Sequence, residues 1–505
     1  MVILVVSGCG LITGPTKKPT TSTVPAASPS ASADPSGAPV EGGAEPTLPP
    51  VGKAVWTDCG KGFQCSTIKV PRDYHDLTQG MLDLSLIRLP ATDRKSRIGS
   101  LVVNPGGPGA SGVDLVRDSS KAFSADLRKR FDLVGFDPRG VNSSSAVRCI
   151  DNLDIQADLD PSPDDTDELD ALVSEAHAYA DACAQRNERL LPYLSTDAVV
   201  DDLDRIREAL GDEQLTYFGF SYGTLIGSMY ADRYPDHIRA LVLDGAVDPS
   251  VSELDFRRQQ AKAFEAELQR FFAWCSSHKN CAFYEGGHTE RAYDKLMAQI
   301  EKKPLRILRF AGRRRVGPGL AFSATLGSMY NRSAWPSLAL ALKWAKKGDG
   351  RLIVAISDPF RGRKPDGGYS NQSDAYFSNT CLDFPVKDLA AYRALDKELR
   401  KIAPHFRAAA YNDLPCLYWP VPPERTPAPA KGIGAPPIVV VGSTGDPATP
   451  YAWAKALAKQ LESGVLITRR GDGHTAYAVS SCIAKAVDAY LLSLKVPKDG
   501  LVCAK

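Results

Sequence analysis

Tyr217-Phe218-Gly219-Phe220-Ser221-Tyr222-Gly223-Thr224 sets a Gly-x-Ser-x-Gly pentapeptide between two unlike stretches of chain. Before it, Gln214-Leu-Thr-Tyr-Phe-Gly219 is short, β-branched and aromatic, as a buried parallel strand should be. After it, Thr224-Leu-Ile-Gly-Ser-Met-Tyr-Ala231 has helical character and stops near Pro235. A strand that turns sharply into a helix at Ser221 holds the serine in a strained conformation with its hydroxyl exposed, and small residues at 219 and 223 let strand and helix approach. The pentapeptide alone is a weak signal in a chain with 41 glycines, so its context decides.

A serine hydroxyl is a poor nucleophile until a histidine takes its proton and a carboxylate fixes that histidine's tautomer. Downstream, Pro437-Ile-Val-Val-Val-Gly442 reads as a buried strand that delivers Asp446 on the loop Ser443-Thr444-Gly445-Asp446-Pro447. The next strand, Gly464-Val-Leu-Ile-Thr468, leads into Gly471-Asp472-Gly473-His474. Ser221, Asp446 and His474 then share one edge of a parallel sheet, where α/β proteins place their chemistry. Of the seven histidines, His75, His177, His237, His278, His288 and His405 follow no buried strand and suit surface or packing roles. Asp244, which ends the strand Ile238–Leu243, is the runner-up acid, whereas Asp472 stands too close to His474 in sequence.

Acyl transfer also needs donors for the developing oxyanion. The loop Asn104-Pro105-Gly106-Gly107-Pro108-Gly109 follows the apolar run Leu101-Val-Val103 and nominates Gly107 as one donor, with Gly106 as fallback and Tyr222 as the second. The same loop fits a dinucleotide fingerprint through Gly107, Gly109 and Gly112, with Asp137 ending the next strand. Pro108 inside the fingerprint and two strands ahead of the unit count against that reading, so no cofactor is expected. Asp137-Pro138-Arg139-Gly140 is then a turn in which Arg139 pairs with a carboxylate beneath the site.

Val6-Ser7-Gly8-Cys9 has the small-residue pattern of a bacterial lipoprotein cleavage site, although no positive residue precedes its short apolar run. The expectation is a lipid-bearing Cys9 and peripheral membrane attachment. Residues 10–49 are mostly Pro, Ser, Thr, Ala and Gly, a composition that cannot bury enough surface to fold and serves as a tether. Beyond Cys9 the other ten of eleven cysteines suit an exported chain, with neighbours pairing as Cys59–Cys65, Cys149–Cys183, Cys275–Cys281, Cys381–Cys416 and Cys482–Cys503. Neither a Cys-x-x-Cys pair nor a His-Glu-x-x-His helix is present, so no metal is expected.

At 505 residues, 43% hydrophobic and net charge +2, the chain is large enough for one core with an insertion and not basic enough to draw nucleic acid. The run Arg313-Arg314-Arg315 reads as a solvated turn. Strand order divides the chain into a leader (1–9), the tether (10–49), a first core part (50–250), a helical cap (251–424) and a second core part (425–505). The cap carries patterns such as Phe256–Trp274, and the chain closes on the helix Cys482–Leu492.

Asn104–Gly109, Asp137–Gly140, Gly219–Thr224, Gly445–Pro447 and Gly473-His474, in this order and from about residue 50 onward, resemble the α/β-hydrolase family of proline iminopeptidases and actinobacterial tripeptidyl aminopeptidases. With its lipobox and tether, the chain is similar to mycobacterial cell-envelope serine hydrolases of that group. Two departures stand out. Pro105 replaces the usual histidine of the iminopeptidases, which sides the chain with the tripeptidyl branch, and Arg139-Gly-Val-Asn-Ser143 differs from the commoner Arg-Gly-x-Gly-x-Ser. The resemblance implies the α/β-hydrolase fold, a mostly parallel sheet with helices on both faces and a helical cap between strands six and seven. It also implies release of short peptides from the free N-terminus of a peptide or protein substrate. Such an enzyme needs a carboxylate for the substrate ammonium, and Asp383 in Cys381-Leu-Asp-Phe384 is the candidate. An envelope esterase acting on acyl esters uses the same machinery and stays open, as does a binding protein on a hydrolase scaffold, although all three triad members are present.

Overall fold

The computed structural model describes residues 48–307, 315–385 and 387–504. The leader, Cys9, the tether up to residue 47, and Arg313 and Arg314 lie outside them; Arg315 opens a short strand. In chain order the strands are β1 (Thr57–Asp58), β2 (Gln64–Pro71), β3 (Met81–Leu89), β4 (Gly99–Asn104), β5 (Phe131–Phe136), β6 (Leu215–Phe220) and β7 (Ile238–Asp244). A two-residue ribbon of β8 (Leu305–Arg306) and β9 (Arg315–Val316) follows, then β10 (Ile438–Gly445), β11 (Gly464–Asp472) and β12 (Leu501–Cys503).

One ten-stranded sheet has the order β1-β2-β3-β5-β4-β6-β7-β10-β11-β12. From β5 through β12 neighbours run parallel, whereas β1, β2 and β3 pair antiparallel. The central strands are buried on both faces, which is why they read as unbroken apolar runs. Their side chains still alternate. Leu241, Leu243, Ile438 and Val440 pack with the helices Thr196–Leu210, Tyr222–Arg233 and Tyr451–Gln460. Ala240, Val242, Val439 and Val441 pack on the other face with Gly112–Ser119, Ala125–Arg130 and Ser481–Ser493. This is the expected α/β-hydrolase architecture, with real strands reaching one to four residues past the sequence estimates at their C-terminal ends. The edge strand β12 was not anticipated; three residues are too few to show a period, and the Cys482–Cys503 disulfide ties it to the last helix.

Between β7 and β10, the sixth and seventh strands once the two-residue edge strand is set aside, the chain leaves the sheet and forms seven α-helices among the described residues. They bury their own core, which includes Phe264, Leu268, Phe271, Trp335, Leu338 and Tyr392. An earlier excursion, with the helix Thr166–Asn187, joins this layer: Tyr179 and Cys183 cluster with Cys381 and Leu382, and the Tyr179 hydroxyl donates to Asp374. All five expected disulfides are formed. No described helix is long and apolar enough to cross a membrane.

Candidate active site

β6 ends at Phe220, and Ser221 caps the following helix with φ 55° and ψ −125°. A non-glycine residue at positive φ costs about 1–3 kcal/mol and persists only where its surroundings over-determine it. They do so here. The Ser221 N–H donates to the Asp244 carbonyl at 3.0 Å, and the Thr224 N–H and hydroxyl both donate to the Ser221 carbonyl. The flanking glycines are obligatory, because a Cβ at Gly219 would sit 2.3 Å from the Gly223 carbonyl oxygen and one at Gly223 would sit 2.8 Å from that of Asn104. Ser221 thus stands at a helix N-terminus, where unsatisfied N–H groups favour negative charge.

β10 carries Asp446 just past its end and β11 carries His474. The His474 Nδ1 lies 2.9 and 3.0 Å from the two Asp446 oxygens. Asp446 is 3% exposed and accepts the N–H groups of Ala448, Thr449 and Thr475, which aim it at the ring. The His474 N–H donates to the Tyr330 carbonyl, and the Tyr330 ring stands edge-on to the imidazole at 5.5 Å. Burial pulls the imidazole pKa down, but the Asp446 charge and hydrogen bond, with Asp244 behind them, outweigh it and hold the pKa above the ordinary histidine value. Asp244 takes a different place from its rival. Burial raises it to about 6, and it accepts the N–H groups of Ala476 and Tyr477, clamping the loop that carries the histidine without touching the ring.

The glycine loop after β4 lies against this elbow. A Cβ at Gly106 would meet the Phe220 carbonyl oxygen at 2.4 Å and the Tyr222 nitrogen at 2.8 Å. The Gly106 N–H is spent on Asn104 Oδ1, which favours Gly107 over Gly106 as an oxyanion donor beside the Tyr222 N–H. The dinucleotide pattern has a packing origin: a Cβ at Gly112 would strike the Phe136 carbonyl oxygen, one at Gly109 would strike that of Gln372, and Asp137 is occupied by Ser111, Val113, Asn142 and Ser143. Arg139 is enclosed and gives Asp202 two hydrogen bonds of 2.7 and 2.6 Å, with further bonds to the carbonyls of Pro71, Arg72 and Tyr193.

Asp383, the candidate for the substrate ammonium, is enclosed and engaged. It is 0% exposed, and its oxygens accept the N–H and the hydroxyl of Thr196. The helix Gln372–Asp383 turns its last residue inward, a rotation that Cys381-Leu-Asp does not announce. Sequence reasoning also missed Thr196, Tyr330 and the cluster Glu253, Arg257, Tyr376 and Asp413. Thr196 had a signal, since Ser195-Thr196-Asp197 opens a helix as a cap. In the cluster, Arg257 donates to Glu253 Oε1, Tyr376 Oη and Asp413 Oδ2, while Glu253 Oε2 meets no N–H donor. Gln260 links it to the acid loop by accepting from Arg257 and donating to the Ala448 carbonyl. Tyr376 links it to the glycine loop, its nitrogen lying 3.0 Å from the position a Gly109 Cβ would take. A separate group with metal-ligand spacing, Asp160, Glu168 and Glu301, belongs to the helical layer and is part of neither loop.

The profile of a family described as alpha/beta hydrolase fold matches residues 99–318, and that of a family described as TAP-like protein matches residues 403–503. The serine protease Hip1 of Mycobacterium tuberculosis is 36% identical over 92% of this chain and 94% of its own. Carboxylesterase B of the same organism is 36% identical over 87% and 86%, and a tripeptidyl aminopeptidase of Streptomyces lividans 33% over 89% and 86%. A strained serine and a carboxylate-bound histidine at one edge of the sheet, both profiles, and relatives 33–36% identical along most of the length agree: the chain belongs to the TAP-like family of α/β-hydrolase-fold serine hydrolases.

Proposed function

We propose that the protein is an exported serine peptidase that releases short peptides, tripeptides foremost, from the free N-termini of peptide or protein substrates. The observation that carries the hydrolytic part is the strained Ser221 at the same sheet edge as the Asp446–His474 pair. Ser221 Oγ attacks the scissile carbonyl while His474 Nε2 takes its proton, and Asp446 holds Nδ1–H and offsets the imidazolium charge. The Gly107 and Tyr222 N–H groups receive the oxyanion. His474 then protonates the leaving amine, and water attacks the acyl-enzyme by the same route in reverse.

Two of the three kinds of relative carry peptidase names, which supports amide over ester substrates. With both Asp383 oxygens engaged by Thr196, the ammonium falls to Glu253 and Asp413, which are nearly as enclosed at 4% and 1% exposed but leave Glu253 Oε2 without an N–H donor. Two carboxylates face one guanidinium there, and burial drives Glu253 well above its usual pKa, so the pair is poised to exchange a proton for a cation. The insert, residues 251–424, acts as the cap that selects substrate. Five disulfides support export, and a lipid on Cys9 would anchor the tether to a membrane. The alternative is a cell-envelope carboxylesterase with the same triad, favoured by the carboxylesterase B likeness.

Purified protein incubated with a free-amine tripeptidyl fluorogenic amide, its N-acetylated counterpart and a short acyl ester separates the two. Release from the free-amine amide alone, lost in Ser221→Ala, is the expected result. Ester turnover without amide cleavage makes the protein an esterase.

A further inference from the structure

Asp383 is a carboxylate with no exposed surface at the end of a cap helix, and the proposed reaction gives it no direct part. Its neighbours explain why it is there. Oδ1 accepts the Thr196 N–H at 3.0 Å and Oδ2 accepts the Thr196 hydroxyl. Thr196 is the first residue of the helix Thr196–Leu210, whose leading N–H groups lack partners within the helix, so the carboxylate is satisfied by the helix end and by its dipole. The Thr196 oxygen also lies 2.5 Å from the Tyr222 hydroxyl. A threonine hydroxyl has one proton. Burial raises the Asp383 carboxyl pKa to about 7, and in its ionised form the group only accepts, so the threonine proton goes to Asp383 and the Tyr222 hydroxyl donates to Thr196. In that ionised form the direction of the whole chain, from Tyr222 to Thr196 to Asp383, is set from the cap end.

Tyr222 is the residue after Ser221, and its own N–H is the proposed second oxyanion donor. The same cap helix presses on the first donor's loop, since Gln372 and Tyr376 backbone atoms lie 2.5 and 3.0 Å from where a Gly109 Cβ would be. Asn379 on that helix donates to the Leu194 carbonyl and Asn371 just before it donates to those of Gly140 and Val147. One helix therefore borders both halves of the oxyanion hole.

We infer that Asp383 is a positioning residue for the oxyanion hole, locking the Tyr222 side chain through Thr196 so that the Tyr222 N–H stays aimed at the transition state. The inference rests on the serine-hydrolase reading of Ser221 and Tyr222. It differs from an ammonium-binding role in what it affects: turnover of every acyl substrate falls, whether or not the substrate has a free amine, and substrate binding does not.

The experiment measures kcat and KM on the free-amine amide and the acyl ester for the full chain, Asp383→Asn, Thr196→Val, their combination, Thr196→Ser and Ser221→Ala. Asp383→Asn and Thr196→Val are each expected to lower kcat about 10- to 100-fold on every substrate the wild type turns over, with KM within about twofold. The combination should be no worse than the poorer single change, and Thr196→Ser, which keeps the hydroxyl, should stay within about threefold of wild type. Unchanged kcat in Asp383→Asn, or a rise in KM confined to the free-amine substrate, would overturn the inference. If Asp383→Asn does not fold, the threonine pair decides, because equal kcat for Thr196→Val and Thr196→Ser defeats the chain of hydrogen bonds. Turnover surviving in Ser221→Ala would instead defeat the serine-hydrolase reading itself.

Discussion

The sheet and the helical insert bury polar groups in opposite ways. The strands are mostly apolar; among the buried polar residues, Asn104, Asp137, Asp244 and Asp446 lie at or just past the C-terminal strand ends, whereas Ser100, Asp132 and Thr216 lie near the N-terminal ends. In the insert they are spread among the helices as ion pairs, Arg257 with Glu253 and Asp413, His405 with Glu265, and Arg407 with Asp396. A buried carboxylate at a strand end is held largely by loop N–H groups, as Asp244 and Asp446 are. One inside a helical layer is satisfied by another side chain and fixes how helices dock. On the proposed reading, reactivity resides in the sheet and selection in the insert.

The comparison breaks most severely at Asp446. Asp446→Asn, which leaves the ring tautomer unspecified, is expected to lower kcat about 10⁴-fold on amide and ester alike. In the wild type, kcat/KM should fall as pH drops through a midpoint above the usual histidine range, because the raised imidazole pKa keeps the base protonated to higher pH. A midpoint at or below that range would mean Asp446 and Asp244 do not act on the ring as drawn.

On the insert side, Glu253→Gln keeps the carbonyl that Arg257 needs and removes the ionisable oxygen. KM for the free-amine tripeptidyl amide should rise about tenfold with little change for the ester, in line with loss of one charge-assisted hydrogen bond. An equal change on both substrates would show that the cluster only shapes the insert. The smallest expected effect is at His405. Burial lowers its pKa, but bonds and charges from Glu265 and Asp294 raise it to about 8. The folded value lies above the unfolded one, so its stabilisation is complete below the unfolded pKa and disappears as pH rises through about 8. His405→Gln should cost about 1–2 kcal/mol near pH 6 and almost nothing near pH 9 in urea unfolding. A cost that does not vary with pH would leave His405 as packing alone.

The two regions also differed in how far they could be read from residues. β6, β7, β10 and β11 are short apolar runs that end at or within one residue of a glycine or aspartate, so their ends, and with them the positions of Ser221, Asp446 and His474, follow from local pattern. Asp383 does not, because the face of its helix that turns inward depends on Asn371, Asn379 and the Cys381–Cys416 bridge, which meet partners far away in sequence. Glu253 and Asp413 are separated by 160 positions and meet at Arg257. Asp244 was legible as a buried acid, but that it grips backbone rather than imidazole needed the loop's path.

The contact of Gln372 with Gly109 has a consequence for traffic. A roof hinged to swing away would drag the glycine loop with it and undo the machinery it covers, so this helix behaves as a keystone and not as a door. On the proposed peptidase reading, substrate reaches Ser221 past a helix that keeps its place, a route better suited to a chain end than to a folded surface.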